Sequence, residues 1–374
     1  LNTVDMPMRN QGDISVMSVG LGYSQTLVGE KNSLTATANY MDLSPYQAMV
    51  TQNFDWERAP YGFDAEVSLR QKWGNSGMVK AYGHTESGGM KIWQKIPGSE
   101  GRGQLVDLKN HYTFTSGSFK QIGKNDWSYY GGISYSNNVD EFTLDQIAIR
   151  NQNQVVHAKA VALKGFSDKF SLKTGLESYL FSYEEGLKSE NLVKDFDDLQ
   201  ANIFTEADYY VSNKLIFRGG LRSGHSTLAD QTWLDPRFSL AYKFENEGQL
   251  SLAAGQFSQM PVEELRIAQP EVQNTIANHL ILNYFLTKNS RTVRAEAFYK
   301  DYKKILTYEG TQYFYRNIQQ NGSGYAQGFD VFYRDQKTVK NTDFWVTYCC
   351  VDRRRKFAPY TEMVRPGFAR SLNA

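Results

Sequence analysis

The sequence predicts an all-β protein, a transmembrane antiparallel up-and-down β-barrel of which about 16 strands are present. Three observations predict this fold class. Strand-like segments alternate apolar and polar residues with a period of two. The connections between these segments are short and long in turn. Charged side chains fall on only one of the two faces that the alternation defines, because successive residues of a strand point to opposite sides.

The alternation differs in strength along the chain. It is clear in residues 63–70, 199–209, 215–222, 237–244, 293–300 and 343–350. Weaker alternation is found in residues 34–40, 156–162, 170–180, 250–254 and 325–333. Residues 77–84, 110–121 and 126–137 are predicted as strands from their aromatic and β-branched content. The sequence has 24 Tyr and 22 Phe, which favours strands throughout.

The connections form two sets that alternate along the chain. The short set comprises residues 26–32, 72–76, 122–125, 167–169, 212–214, 245–248, 287–291 and 336–341. The long set comprises residues 42–62, 85–109, 138–154, 183–198, 224–235, 258–277 and 302–322. A soluble sandwich has no reason to separate loop lengths in this way. Outer-membrane barrels have tight periplasmic turns and long external loops, so the pattern favours a barrel.

The charged face is predicted to line the lumen of this barrel. An Arg or Lys that faces lipid at mid-bilayer would destabilise the folded barrel by about 2–4 kcal/mol. For any one charge considered alone, the solvated face of an ordinary soluble sheet is the better explanation, and the loop pattern decides for the barrel. The lumen-lining candidates are Glu206, Asp208, Arg218, Arg222, Arg294, Glu296, Asp330 and Arg334.

Composition excludes some functions and leaves few candidate sites. The net charge of +1 gives no electrostatic argument for a nucleic-acid partner. The five histidines are far apart, so no metal site, cofactor or catalytic group is predicted, and the chain is not expected to be an enzyme. The adjacent Cys349 and Cys350 point to opposite faces of a strand, which argues against a disulfide.

Two of the predicted long loops carry features of their own. Residues 194–198 hold a carboxylate cluster that could bind Ca²⁺, although solvated charge is the simpler interpretation. In residues 260–265, Pro261 predicts the start of a helical turn. The sequon-like residues 321–323 are predicted to serve a turn.

Three stretches resemble a known family. Asp235–Tyr242, Ala295–Tyr302 and Asn321–Asp330 are similar to recurrent strands of the TonB-dependent outer-membrane receptors, in particular the large type with a carboxypeptidase-like N-terminal domain. The resemblance covers nearly all of the chain, but only as barrel. Barrels of this family have about 22 strands, so residues 1–374 are expected to form a single, partial β-barrel domain without the plug and signal peptide.

The resemblance implies energy-coupled uptake of a nutrient ligand at the cell outer membrane. The implied partners are outer-membrane lipid, the unidentified nutrient, and the TonB complex, which is contacted through a missing N-terminal segment. A passive porin-like channel is the alternative, because 16 strands would suit it in number. A soluble all-β binding or adhesion protein is the third class that remains open.

Overall fold

The computed structural model describes residues 6–95, 101, 103–188, 192–245, 247–310, 315–358, 360 and 362–365. Seventeen strands belong to one antiparallel sheet, and the described residues include two short helices. The chain divides into two compact units. The first comprises residues 1–162 and 176–200, and the second comprises residues 163–175 and 201–374.

The first unit is built from hairpins. Each strand from the first to the sixth pairs antiparallel with the next one. A short helix, α1 (Ser44–Met49), precedes the fourth strand. The strands are β1 Gln11–Met17, β2 Gly20–Val28, β3 Asn32–Asp42, β4 Asp55–Trp73, β5 Gly77–Gln94, β6 Gln104–Ile122, β7 Trp127–Leu144, most of β8 Ile147–Ser167, most of β9 Phe170–Leu187 and the beginning of β10 Leu192–Tyr210.

The second unit continues the same arrangement. It contains the rest of β8, β9 and β10, and each strand from β11 to β16 pairs antiparallel with the next one. A helix, α2 (Glu263–Ala268), lies between the thirteenth and fourteenth strands. The strands are β11 Leu215–Ser226, β12 Gln231–Lys243, β13 Gln249–Gln259, β14 Thr275–Lys288, β15 Arg291–Glu309, β16 Arg316–Asp335 and β17 Phe344–Arg355.

Burial in both units is the reverse of that in a water-soluble protein. In β4, Val67 and Leu69 are 49% and 45% exposed, whereas Ser68 and Arg70 are 7% exposed. In β10, Ile203 is 55% exposed and its polar neighbour is buried. We call the side of each strand that carries the exposed hydrophobic residues the apolar face, and the other side the polar face. Strand alternation therefore directs large hydrophobic side chains outward and polar ones inward.

A small hydrophobic cluster lies beside α2. Leu265, Val272 and Leu306 are buried together, and Tyr315 and Ile318 pack against them. Through this cluster, the connection between β13 and β14 packs against the end of β15. The helical turn predicted at Pro261 is confirmed, although the helix begins at Glu263.

Several predicted long loops are largely strand. The sequence predicts one loop over residues 138–154, but β7 runs to Leu144 and β8 begins at Ile147. Likewise β5 and β6 extend through most of residues 85–109. The extensions carry polar residues on both faces, so the period-two signal stops before the strand does. The connections predicted as long loops are therefore long partly because the strands themselves continue through them.

Four further features of the structure differ from what the sequence predicts. The strand β1 is not predicted, because its seven residues carry little alternation and are exposed on both faces. The helix α1 is not predicted either. The carboxylate cluster at 194–198 lies in β10 rather than in a loop. Residues 321–323 lie within β16 rather than at a turn.

The short turns agree with prediction. Residues 123–126, 289–290 and 336–343 connect neighbouring antiparallel strands. Asn125, Asp126, Asn289 and Ser290 have positive φ values between 52° and 59°, a conformation that tight hairpin turns require.

Candidate functional site

The polar face of β10 and β11 carries a charged cluster. The Arg218 guanidinium donates two hydrogen bonds to Asp208, from Nε to Oδ1 at 2.5 Å and from Nη2 to Oδ2 at 2.9 Å. Arg218 Nε also lies 3.8 Å from Glu206 Oε1, and Lys173 Nζ lies 3.5 Å from the same oxygen. Three of the predicted lumen-lining residues thus form one network with Lys173. Two-point contact fixes the guanidinium plane against the sheet.

A second cluster lies on the polar face of β14 to β17. Glu296 accepts hydrogen bonds from Arg294 Nη2 at 3.2 Å and from Asn283 Nδ2 at 3.1 Å. Asp330 stands directly opposite Glu296 in the strand register, and Cys349 stands opposite Asp330. Two carboxylates on adjacent strands repel each other, and the donors around Glu296 offset part of that cost.

The remaining two candidates lie apart from these clusters. Arg222 is opposite Asp235 in the register, and Asp235 is 2% exposed. Arg334 lies near the end of β16, where its Nε donates to Asp343 Oδ1 at 2.9 Å. This hydrogen bond lowers the pKa of Asp343, which lies in the turn before β17. Arg334 therefore ties a turn to its strand.

Aromatic rings and cations also meet on the polar face of the second unit. The Arg237 guanidinium lies 4.3 Å from the centre of the Phe257 ring, which lies 4.6 Å from the His279 ring. Lys300 is opposite His279 in the register. The geometry of the first contact is that of a cation–π interaction.

The first unit holds a site that the sequence does not predict. His157 Nε2 and Lys159 Nζ lie 3.0 Å and 3.1 Å from Glu177 Oε1. The Glu177 side chain is 5% exposed, and its two partners are each about one-third exposed. Tyr179 stacks on the His157 ring, with 4.3 Å between centres. His157 is thus hydrogen-bonded on a polar face, and no pattern in the sequence indicates Glu177, 20 residues further along the chain, as its partner.

Candidate metal and redox groups are few among the described residues. In this part of the chain, no group of three or more His, Cys, Asp or Glu side chains is placed to hold a metal ion. Asp195 and Asp197 alternate with Asp198 along β10, so the predicted cluster is divided between two faces. Cys349 and Cys350 are both free thiols. The described residues also contain no helix that is long and apolar enough to cross a membrane.

Taken together, the polar face offers paired charges and aromatic rings along many strands rather than one reactive centre. Such a face can stay in contact with water and bind polar groups. The apolar face offers mainly hydrophobic contact.

Comparison with known proteins identifies the fold. No family model and no curated protein sequence matches the chain. Solved structures do match. The copper transporter OprC is 9% identical with a TM-score of 0.71, and the match covers 90% of this chain and 59% of OprC. The FrpB iron transporter from Neisseria meningitidis (F3-3 variant) is 9% identical with a TM-score of 0.72, covering 92% of this chain and 62% of FrpB.

A further match is the RagAB peptide transporter, which is 8% identical with a TM-score of 0.62. The match covers 94% of this chain and 51% of that one. This chain therefore spans about three-fifths of the length of OprC and about half of the RagAB chain.

These matches define the class of fold. The chain has the antiparallel barrel fold of the TonB-dependent outer-membrane receptors, as an incomplete barrel, and the predicted resemblance is confirmed for the fold. The named structures are receptors and transporters.

Proposed function

We propose that this chain is part of the barrel wall of an energy-coupled transporter in the cell outer membrane. In this proposal, residues 1–374 form one partial barrel domain. The apolar face contacts lipid, and the polar face lines a water-filled interior. The eight predicted charged residues then belong to that interior surface.

One observation carries the proposal, namely the reversed burial of the two faces. Leu176 and Leu282 are 61% and 45% exposed, whereas Asp198 and Asp235 are each 2% exposed. In water, this arrangement would leave a large hydrophobic surface unprotected. In a bilayer it is favourable, because lipid covers the apolar side chains and the strands satisfy their own backbone hydrogen bonds.

Aromatic side chains near the strand ends support the same placement. Trp73 and Trp345 are 68% and 64% exposed close to short turns, and Trp127 stacks on Tyr129 with 5.7 Å between ring centres. Such side chains are enriched at membrane interfaces, where the ring meets lipid and the polar atom meets water.

The fold supports uptake as the role of the whole protein. The matching structures are named as copper, iron and peptide transporters and as an alcaligin receptor, so the fold serves several cargoes. We propose a nutrient ligand as the cargo here. TonB is the proposed source of energy coupling, through a segment outside these residues. A nucleic acid is not a proposed partner, since the net charge is +1.

The proposal is tested with the full-length protein in two steps. Fractionation of the host cells should place it in the outer membrane, and a protein recovered in the soluble fraction would overturn the membrane role. The purified protein is then mixed with the periplasmic domain of TonB and, separately, inserted into planar bilayers in KCl. The proposal predicts TonB binding and no steady open conductance, because a plug domain closes the barrel in the family that the chain resembles. A steady conductance without TonB binding would instead identify a passive channel.

A further inference from the structure

A cavity of about 680 Å³ lies against the polar face of β5 to β8, within the first unit. Its floor is built from small side chains, which leave room above the sheet. These floor residues are Ser116, Ser118, Gly132 and Ser134. Lys80, Lys120 and Lys159 line the cavity, and so does His157.

The strand register brings these cations together from distant parts of the chain. Lys80 is opposite Ser118, and Lys120 is opposite both Met78 and Tyr130. On the side of β4, Arg70 is opposite Lys80 and adds a further positive charge. Basic side chains that are far apart in the sequence therefore lie close together at the cavity.

The acidic side chains near the cavity lie outside its lining. None of the residues that line the cavity, all of which the structure describes, is acidic. Glu177 lies beside the cavity and pairs with both His157 and Lys159 through one oxygen. Glu66 accepts a hydrogen bond from the Tyr82 hydroxyl at 2.9 Å. The lysines of the lining itself, Lys80, Lys120 and Lys159, therefore give the cavity surface a basic character.

The charges on β4 to β6 are also ordered along the strands. Polar-face positions close to the short turns are basic, namely Lys72, Arg70, Lys80 and Lys120. Positions further from these turns are acidic, namely Glu66, Asp64 and Glu86. Clustered charge of one sign on a recessed surface raises the local concentration of counter-ions. The cavity lies at the basic end of this gradient.

An aromatic wall borders the cavity on its other side. Tyr82 and Phe114 both line the cavity, with 6.0 Å between their ring centres. The His84 ring continues the row, stacked 6.5 Å from Tyr82. A flat or apolar part of a bound molecule can pack against these rings.

We propose that this cavity binds an anionic group, such as a carboxylate, phosphate or sulfonate, on a molecule whose ring or apolar part packs on Tyr82 and Phe114. The lysine ammonium groups supply the charge, and the serine hydroxyl groups supply further hydrogen bonds. The inference rests on the proposed function, because the polar face must be open to water.

The test measures binding of naphthalene-1,3,6-trisulfonate to the full-length protein in detergent by calorimetry. The Lys80→Gln/Lys120→Gln double variant should bind at least about tenfold more weakly. A matched control, Lys31→Gln/Lys124→Gln, removes the same charge from two short turns and should change affinity by less than about twofold. Circular dichroism melting verifies that both variants are folded.

Three results would overturn the inference: no binding to the wild-type protein, equal weakening in both double variants, or equally tight binding of the uncharged 1-naphthalenemethanol. Failure here is distinguishable from failure of the proposed function. A protein that fractionates with the outer membrane but does not select the trisulfonate contradicts the inference alone. A protein that is soluble without detergent yet binds the probe through these lysines contradicts the membrane role alone.

Discussion

Replacing Leu282 by arginine should strongly destabilise the folded protein in a bilayer. Leu282 lies near the middle of β14 on the apolar face, opposite Leu252 and Ala297 in the register, and is 45% exposed. At ~3.4 Å per residue it lies about 20 Å along the strand from Lys288. With a strand tilt of about 45°, that is about 14 Å in height, close to the middle of an apolar band about 25 Å tall.

The depth of Leu282 in the bilayer determines how much folding free energy the substitution removes. An arginine at mid-bilayer on the lipid face costs about 2–4 kcal/mol. Since 1.36 kcal/mol corresponds to a factor of ten, the folding equilibrium constant should fall about 30- to 900-fold. Wild-type and variant proteins are refolded into phosphatidylcholine vesicles, and unfolding in guanidinium is followed by tryptophan fluorescence and extrapolated linearly.

The neighbouring substitution Asn283→Arg is the matched control. Asn283 lies on the polar face and donates a hydrogen bond to Glu296 at 3.1 Å, so an arginine there can pair with the same carboxylate. Its effect should stay within about 1 kcal/mol. If both substitutions destabilise the protein equally, or if Asn283→Arg is the more damaging, the assignment of the two faces is wrong.

Three other substitutions test the polar face and a turn. Glu177→Gln should lower the free energy of unfolding by about 1–2 kcal/mol in urea titrations, because it removes the buried counter-charge of Lys159 while about one-third of that side chain can still be hydrated. An unchanged value would mean that the ion pair contributes nothing. Asp208→Asn should cost about 1 kcal/mol in the same titrations, since Arg218 is half exposed and its pairing is screened by water; a loss several times larger would contradict this. Asp343→Asn tests a pH dependence: the folded-state pKa is lowered, so the carboxylate stabilises the protein above its unfolded pKa of about 3.9 and loses that effect as the pH falls through the folded value. The difference in melting temperature between wild type and variant should therefore be present at pH 7 and vanish in acid, and a constant difference would argue against an ionic role.

The sequence is sufficient to predict the strands that cross the apolar band. In residues 199–205, alternation predicts which side chains lie on each face, and burial agrees with that prediction. In residues 215–222 burial does not separate the faces, because Phe217 and Arg218 are both exposed. Strand ends are harder to predict. Beyond the apolar band both faces of a hairpin are polar, so nothing in residues 138–154 distinguishes a loop from the extension of β7 and β8.

The candidate site is predictable only in part. Arg218 and Asp208 are predicted to share the polar face, because their strands alternate clearly. The basic cavity is not predicted, because Lys80, Lys120 and Lys159 lie on three strands and meet only through the register of the intervening hairpins. A single sequence does not show which residues of different strands lie close together. Residues 77–84 and 126–137 also lack clean alternation, so their faces are not predicted.

The most direct test of the central claim is a spin-label scan along β14 of the full-length protein in vesicles. Single cysteines are introduced from His279 to Tyr284 after Cys349 and Cys350 have been replaced by serine. Collision rates with oxygen, which enters lipid, are compared with those of a water-soluble nickel complex. The account predicts that Leu280, Leu282 and Tyr284 collide with oxygen and that the residues between them collide with nickel or with neither reagent. Uniform exposure to nickel along the strand, or the opposite alternation, would contradict the claim that the apolar face contacts lipid.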